Sequence, residues 1–373
     1  MTDSVSPARR LLLQSLALSP LLGADVAASP ANGAALFAPF QRFDGGRGLA
    51  RIEADLQLGP TCTLPARAHD LVPTPSGQQL LVMERRPGRR AWVVDIADCT
   101  IRARFEAGPG RHFEGHAAFT PDGLVLTTEN DYENGRGVIG VRDASNWQTL
   151  GEFASHGIGP HEMLMLADGK TLAIANGGIL THPDKPGRNL NLDSMRSTLS
   201  YVDLASGQLL GEWTAPDPQL SIRHMDATEH GEIVLAMQFE GAPRLAMPPL
   251  LARHHADDAQ LRLPDTDSEV WRALAGYIGS VRIAPDQALA CATSPRGGSF
   301  VLWDLTTNGL QPPTPMADVC GVAFKPDGEL LVSSGTGQVR DLADGGTETA
   351  GELTVARLHW DNHMRYLQGP AQG

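Results

Sequence analysis

The sequence predicts an all-β fold, a single seven-bladed β-propeller, and three observations carry that expectation. First, a hairpin turn recurs as Pro75-Ser76-Gly77, Pro121-Asp122-Gly123, Ala167-Asp168-Gly169, Glu229-His230-Gly231, Pro285-Asp286-Gln287 and Pro326-Asp327-Gly328, at spacings of 46, 46, 62, 56 and 41 residues. A period near ~45 residues, built of short strands and turns, is the signature of propeller blades rather than of helical repeats. Second, apolar runs flank each turn, as in Ala117 to Phe119 and Leu124 to Thr128, and a third strand ending in aspartate follows at Asp95, Asp143, Asp203 and Asp304. Third, the 373 residues include 40 Gly and 27 Pro, and almost no stretch shows sustained helical periodicity.

The chain opens on an address. Arg9-Arg10 precede Leu11-Leu12-Leu13, an apolar region runs to about residue 22, and small residues surround Val26-Ala27-Ala28. That is the layout of a cleavable export signal over residues 1–28, of twin-arginine-like type, which predicts a periplasmic protein. The apolar run is too short to span a bilayer comfortably, and no later segment reads as transmembrane.

The propeller is expected over residues 34–368. Residues 34–64 give strands without the recurrent turn, and residues 353–360 and 363–367 give more. A propeller completes one blade with strands from both chain ends, so six hairpins plus this remainder predict seven blades, with six or eight as alternatives. Residues 265–277 hold Val270-Trp271 and Leu274-Ala275 at helical spacing and predict one short helix packed on the outside.

The first strand of a blade lines the central channel. Counted back from the turn, His69, His116, His161 and His224 open four of the six hairpins, while Ser280 and Gly321 open the other two. With 12 histidines in the chain, this is not a chance distribution. Second strands return to the same face and end on Glu84, Glu129, Asn176, Gln238, Ser294 and Ser334. Neutral imidazoles are the commonest ligands of copper, iron, nickel and zinc. His69, His116, His161 and His224 are therefore the candidate ligands of a transition metal, iron or copper, with Glu129 and Glu162 as ligands or orienters.

Loops on the same face add His112, His156, His182, Asp131, Arg111, Arg223 and Arg296 at the channel mouth. The insertion from Asn176 to Met195 emerges there and is expected to lie across the mouth as a lid. An alternative reading of the same groups is a site for an anionic small molecule, with arginines and histidines as donors.

Other functions lack their sequence signals. A net charge of −13 without a basic cluster argues against nucleic-acid binding. There is no phosphate loop, dinucleotide fingerprint, Gly-x-Ser-x-Gly elbow or Cys-x-x-Cys-His haem attachment, so neither a nucleotide nor a covalent haem is expected. Cys62, Cys99, Cys291 and Cys320 show no zinc-like spacing. An oxidising compartment would permit Cys62 and Cys99 to pair, and the sequence leaves that open.

The segments Arg111-His112-Phe113-Glu114-Gly115-His116, Glu129-Asn130-Asp131 through Val141, Ser155-His156-Gly157-Ile158-Gly159-Pro160-His161-Glu162, Ile222-Arg223-His224 and Ser294-Pro295-Arg296-Gly297-Gly298 together resemble an exported propeller family, domain of unknown function 1513. The resemblance implies a bacterial periplasmic protein, often encoded beside imelysin-like and di-haem peroxidase-like proteins of iron acquisition, which would be candidate partners. More distantly, histidines at the starts of inner strands are similar to the propeller of nitrous oxide reductase, where copper sits at that place. The expected function is metal binding at the channel mouth, in uptake or redox handling. A protein interaction scaffold of an iron-acquisition system, or a small-molecule-binding propeller, is the alternative.

Overall fold

In the computed structural model, residues 33–368 are described, apart from residues 186, 243 and 347; the export signal expected over residues 1–28 lies outside the described residues. The chain forms seven antiparallel sheets whose inner strands neighbour one another around a ring, a seven-bladed β-propeller. Blade 2 comprises Ala68–Pro73, Gln79–Glu84, Arg90–Asp95 and Ile101–Glu106 from the centre outward. Blade 3 comprises Arg111–Phe119, Leu124–Asp131, Arg136–Asp143 and Thr149–Ala154; blade 4 comprises Pro160–Met165, Thr171–Asn176, Thr198–Asp203 and Leu209–Thr214. Blade 5 has three strands, Leu220–Ala227, Ile233–Phe239 and Leu251–His254. Blade 6 begins on Ser280–Ile283 and blade 7 on Val319–Phe324.

Blade 1 closes the ring. Its outer strands are Ala35–Arg42, Arg47–Glu53 and Leu58–Thr63, and its inner position is filled from the far end of the chain by Leu358–Trp360 and Arg365–Leu367. Both short pieces pair with Ala35–Arg42, Trp360 opposite Phe40 and Leu367 opposite Ala35. The Asp361 N–H still donates to the Pro39 carbonyl, after which Asn362 to Met364 leave the ladder.

The recurrent turns explain themselves. Their third residue takes a left-handed φ throughout, from 60° at Gln287 to 91° at Gly328, and five of the six are the glycines that tolerate it. At the opposite turns, Asp95, Asp143, Asp203 and Asp304 accept backbone N–H groups two or three residues ahead, which is why each third strand stops on aspartate. Blades pack face to face, so second strands are apolar on both sides; Leu80 to Met83 are all buried. Apolar clusters fill the gaps between blades, such as Leu81, Phe105, Phe113 and Val125 between blades 2 and 3.

The helix spans Ser268–Ala273 with Trp271 buried. It is not on the outer rim: the Ser294 hydroxyl donates to the Leu274 carbonyl and the Phe239 N–H to the Gly276 carbonyl, which puts the helix end over the second strands of blades 5 and 6. The cysteines, Cys62 and Cys99 included, are free thiols. No helix among the described residues is long and apolar enough to cross a membrane.

Candidate metal centre

The inner strands are bulged where their histidines lie. The register slips between Ala68 and Leu71, Phe113 and Ala117, Pro160 and Glu162, and Ile222 and His224. Bulges re-aim side chains and recur beside functional sites. Here they turn His69, His116, His161 and His224 into the channel, where His363, from the unpaired segment of blade 1, joins them.

Every pair among these five rings except His161 with His363 has centroids 4.5–5.8 Å apart. His69, His116, His224 and His363 each offer a ring nitrogen within 4.8 Å of those of the other three. His161 stands beside that set, its Nε2 3.4 Å from Nε2 of His69. All five are buried. Gly115 makes the crowding feasible: at φ +113° it passes so close to His69 that an added Cβ would lie 2.5 Å from Cδ2 of the ring.

Carboxylates lie directly behind the rings. His116 Nδ1 is 3.2 Å from Asp70 and 3.6 Å from Glu162; His224 Nδ1 is 3.2 Å from the other oxygen of Glu162. Glu162 also accepts the Met225 N–H, and Asp70 accepts the Leu71 N–H. Arg365 approaches Asp70 at 3.6 Å, and its Nε–H donates to the Leu71 carbonyl. A carboxylate behind Nδ1 fixes the ring and leaves Nε2 as the metal-facing nitrogen, the usual outer shell of a histidine metal site.

Burial, aided by the charges of neighbouring histidines and arginines, holds His69, His161 and His363 well below the ordinary imidazole value. Burial also brings His224 down to about 4 against the pull of Glu162. His116 goes the other way: burial opposes its charge, but Glu162 and Asp70 together outweigh burial and raise it. Burial thus favours the neutral imidazole at four of the rings, whereas Glu162 and Asp70 favour the charged form at His116.

The fit to a metal can be judged from unmet hydrogen-bonding capacity. Both ring nitrogens of His363 and of His116, and Nδ1 of His161, are buried without a hydrogen-bond partner, Nδ1 of His116 having only the ionic approach of Asp70 and Glu162. Such groups ordinarily find partners, because leaving them bare costs on the order of 1–3 kcal/mol each. His116 and His363 thus each bring a bare nitrogen to the four-histidine set whose ring nitrogens lie within 4.8 Å of one another, and a metal ion would satisfy them, so the donor set fits the ion.

Glu129 does not join the cluster. Thr128, its neighbour in the strand, turns its hydroxyl to the His116 carbonyl, so Glu129 points to the opposite face, where Arg142 at 2.7 Å and the Thr127 hydroxyl at 2.7 Å engage it. Glu162 is brought to the cluster, against Nδ1 of both His116 and His224.

The mouth residues divide. His112 is buried, with Nε2 3.2 Å from the Thr181 hydroxyl, and Thr181 also donates to Glu114 at 3.4 Å. Farther along the insertion Asn189 donates to Glu240 at 3.0 Å. The insertion thus reaches blade 3 on one side and blade 5 on the other, and its His182 stacks edge-on to Tyr132. Arg111 and Asp131 pair with each other at 2.9 Å and, with Arg136 and Glu152, tie together the strands of blade 3. His156 lies away from the cluster, its Nε2 2.9 Å from the Gly207 carbonyl. Arg223 is buried beside the histidines with Glu240 at 3.1 Å, and burial with the nearby Arg86 charge lowers it to about 10. Arg296 is exposed and covers the Tyr277 ring.

Turn counting missed His363, because the closing strand of blade 1 has no hairpin turn to count from. It also missed Asp70, which directly follows His69 just as Glu162 follows His161.

Seven blades around a buried group of histidines define a β-propeller with a candidate metal centre at one channel mouth. The chain belongs to the family described as "Protein of unknown function (DUF1513)", whose model matches residues 62–367. No curated protein matches the chain. Among solved structures it is similar to a chain titled "Kuenenia stuttgartiensis Hydrazine Synthase", with a TM-score of 0.59 and 15% identity, covering 91% of this chain and 100% of that one. At that identity the likeness is one of fold.

Proposed function

We propose that this protein binds a transition metal, iron or copper, at the histidine cluster, as a periplasmic propeller serving metal uptake or redox handling. One observation carries the reading: His69, His116, His224 and His363 present buried ring nitrogens within 4.8 Å of one another, several of them without a partner. Metal–imidazole bonds of about 2.0–2.1 Å require only a modest contraction of that set.

The donor chemistry narrows the choice. Asp70 and Glu162 are occupied with ring Nδ1 groups and backbone N–H groups, so the inner donors are all imidazole nitrogen. Such a shell suits divalent copper or ferrous iron better than ferric iron, which prefers oxygen, and copper heads the affinity order among divalent ions. The two carboxylates behind the rings also suit a divalent ion, whose charge they help to offset.

The test is equilibrium binding of Cu²⁺ and Fe²⁺ to the wild type and to His363→Gln, both prepared without a histidine tag. About one equivalent is expected to bind to the wild type, with an affinity loss of at least about tenfold in the variant. Equal binding by the two proteins would remove the cluster as the site.

A further inference from the structure

Four arginines, Arg67, Arg85, Arg86 and Arg223, lie in or beside inner and second strands of blades 2 and 5 on the face that carries the histidines. Arg67 leads into the inner strand of blade 2, and its carbonyl accepts the N–H of Arg85, which follows the second strand of the same blade with Arg86. Arg223 directly precedes His224. The charges of Arg67 and Arg85 act on His69, and those of Arg86 and Arg223 act on His161. The group is graded: the side chains of Arg67 and Arg86 are 34% and 22% exposed, while that of Arg223 is 1% exposed.

Their compensation is incomplete. Arg67 pairs with Asp361, Arg86 stands 3.6 Å from Glu114, and Arg223 is 3.1 Å from Glu240. Among the described residues Arg85 makes no ion pair and no side-chain hydrogen bond. Nε of Arg223 is buried without a partner. Concentrating cations in this way, in a chain whose net charge is −13, is unfavourable unless a counter-charge offsets it. Guanidinium groups present paired N–H donors that match the oxygens of phosphate and carboxylate groups.

We infer that this arginine group binds a compact oxyanion, either inorganic phosphate or a small polycarboxylate chelator, at the entrance to the histidine cluster. The anion would then lend an oxygen to the metal below it, and only this last contact rests on the metal reading above. A metal arriving as an anionic chelate would be recognised by both layers at once. Free phosphate would be recognised by the arginines first.

The experiment measures phosphate and citrate binding calorimetrically at low ionic strength, with wild type, Arg85→Gln and the remote control Lys170→Gln, each metal-free and loaded with Cu²⁺. Wild type and Lys170→Gln should bind alike, and Arg85→Gln should bind at least about tenfold more weakly, the loss of one charge-assisted contact. Its Cu²⁺ affinity measured without anion should not fall, because removing a cation does not weaken a cationic ligand. Citrate binding that tightens on metal loading while phosphate binding does not identifies a chelate; the reverse identifies inorganic phosphate. Arginine-dependent anion binding to a protein that takes up no Cu²⁺ would retain the anion site and sink the metal reading alone. Anion affinity equal in wild type and Arg85→Gln, or absent from both, would overturn the proposal.

Discussion

Gly115 lies against the face of His69 so closely that a single methyl group on its Cα would sit 2.5 Å from the ring. Its φ of +113° adds backbone strain for any other residue. Gly115→Ala is therefore expected to displace His69, costing about 1–3 kcal/mol of stability and at least about tenfold in metal affinity. Chemical denaturation and metal titration of the variant check the two effects separately.

Glu162 reaches Nδ1 of both His116 and His224. Glu162→Gln keeps the shape but removes the charge that sets the orientation and basicity of two ligands at once. Metal affinity is expected to fall about 10–100-fold, measured by competition with a coloured chelator.

Glu129 gives the opposite expectation. Its carboxylate compensates the buried guanidinium of Arg142, which also lies over the rings of Phe105 and Phe113 at 5.1 and 5.2 Å. Glu129→Ala should destabilise the fold by about 3–5 kcal/mol, because a buried cation loses its partner. Metal affinity of the protein that remains folded should stay that of the wild type. A selective loss of affinity with unchanged stability would place Glu129 in the centre after all.

The metal-free protein should lose stability on acidification. His224 takes up a proton near 6.5 in the unfolded chain but only near 4 when folded. Between those values the unfolded state holds more protons, so stability rises with pH across that window, by on the order of 3 kcal/mol from this residue. His69, His161 and His363 are shifted in the same direction by burial. His116 opposes them: its stabilisation is present below 6.5 and is lost as pH rises through its elevated folded value. Urea midpoints of metal-free protein should therefore fall from pH 7 to pH 4.5, and bound metal should flatten that fall until it is released.

Much of this arrangement is legible in the sequence, because its signals are local. The turn residues mark where a left-handed φ is required, and their spacing exposes the blades. Counting from those turns finds His69, His116, His161 and His224 without knowledge of packing. The same method is blind to His363, whose strand has no turn and is defined only by pairing with Ala35–Arg42 across the whole chain. It also misassigns Glu129, since the end of a strand fixes height in the channel but not which face a side chain takes. The helix was legible as a helix, but its place over blades 5 and 6 depends on contacts to Ser294 and Phe239 that sequence spacing does not encode.

The central claim is that imidazole nitrogens of the inner strands hold a metal ion. X-ray absorption at the metal edge, on untagged protein loaded with one equivalent of Cu²⁺, tests it most directly. The expected spectrum shows a nitrogen shell at about 2.0 Å with the multiple scattering of imidazole rings, losing amplitude in His116→Gln. An oxygen-dominated shell without the imidazole pattern, or a spectrum identical in wild type and His116→Gln, would contradict it.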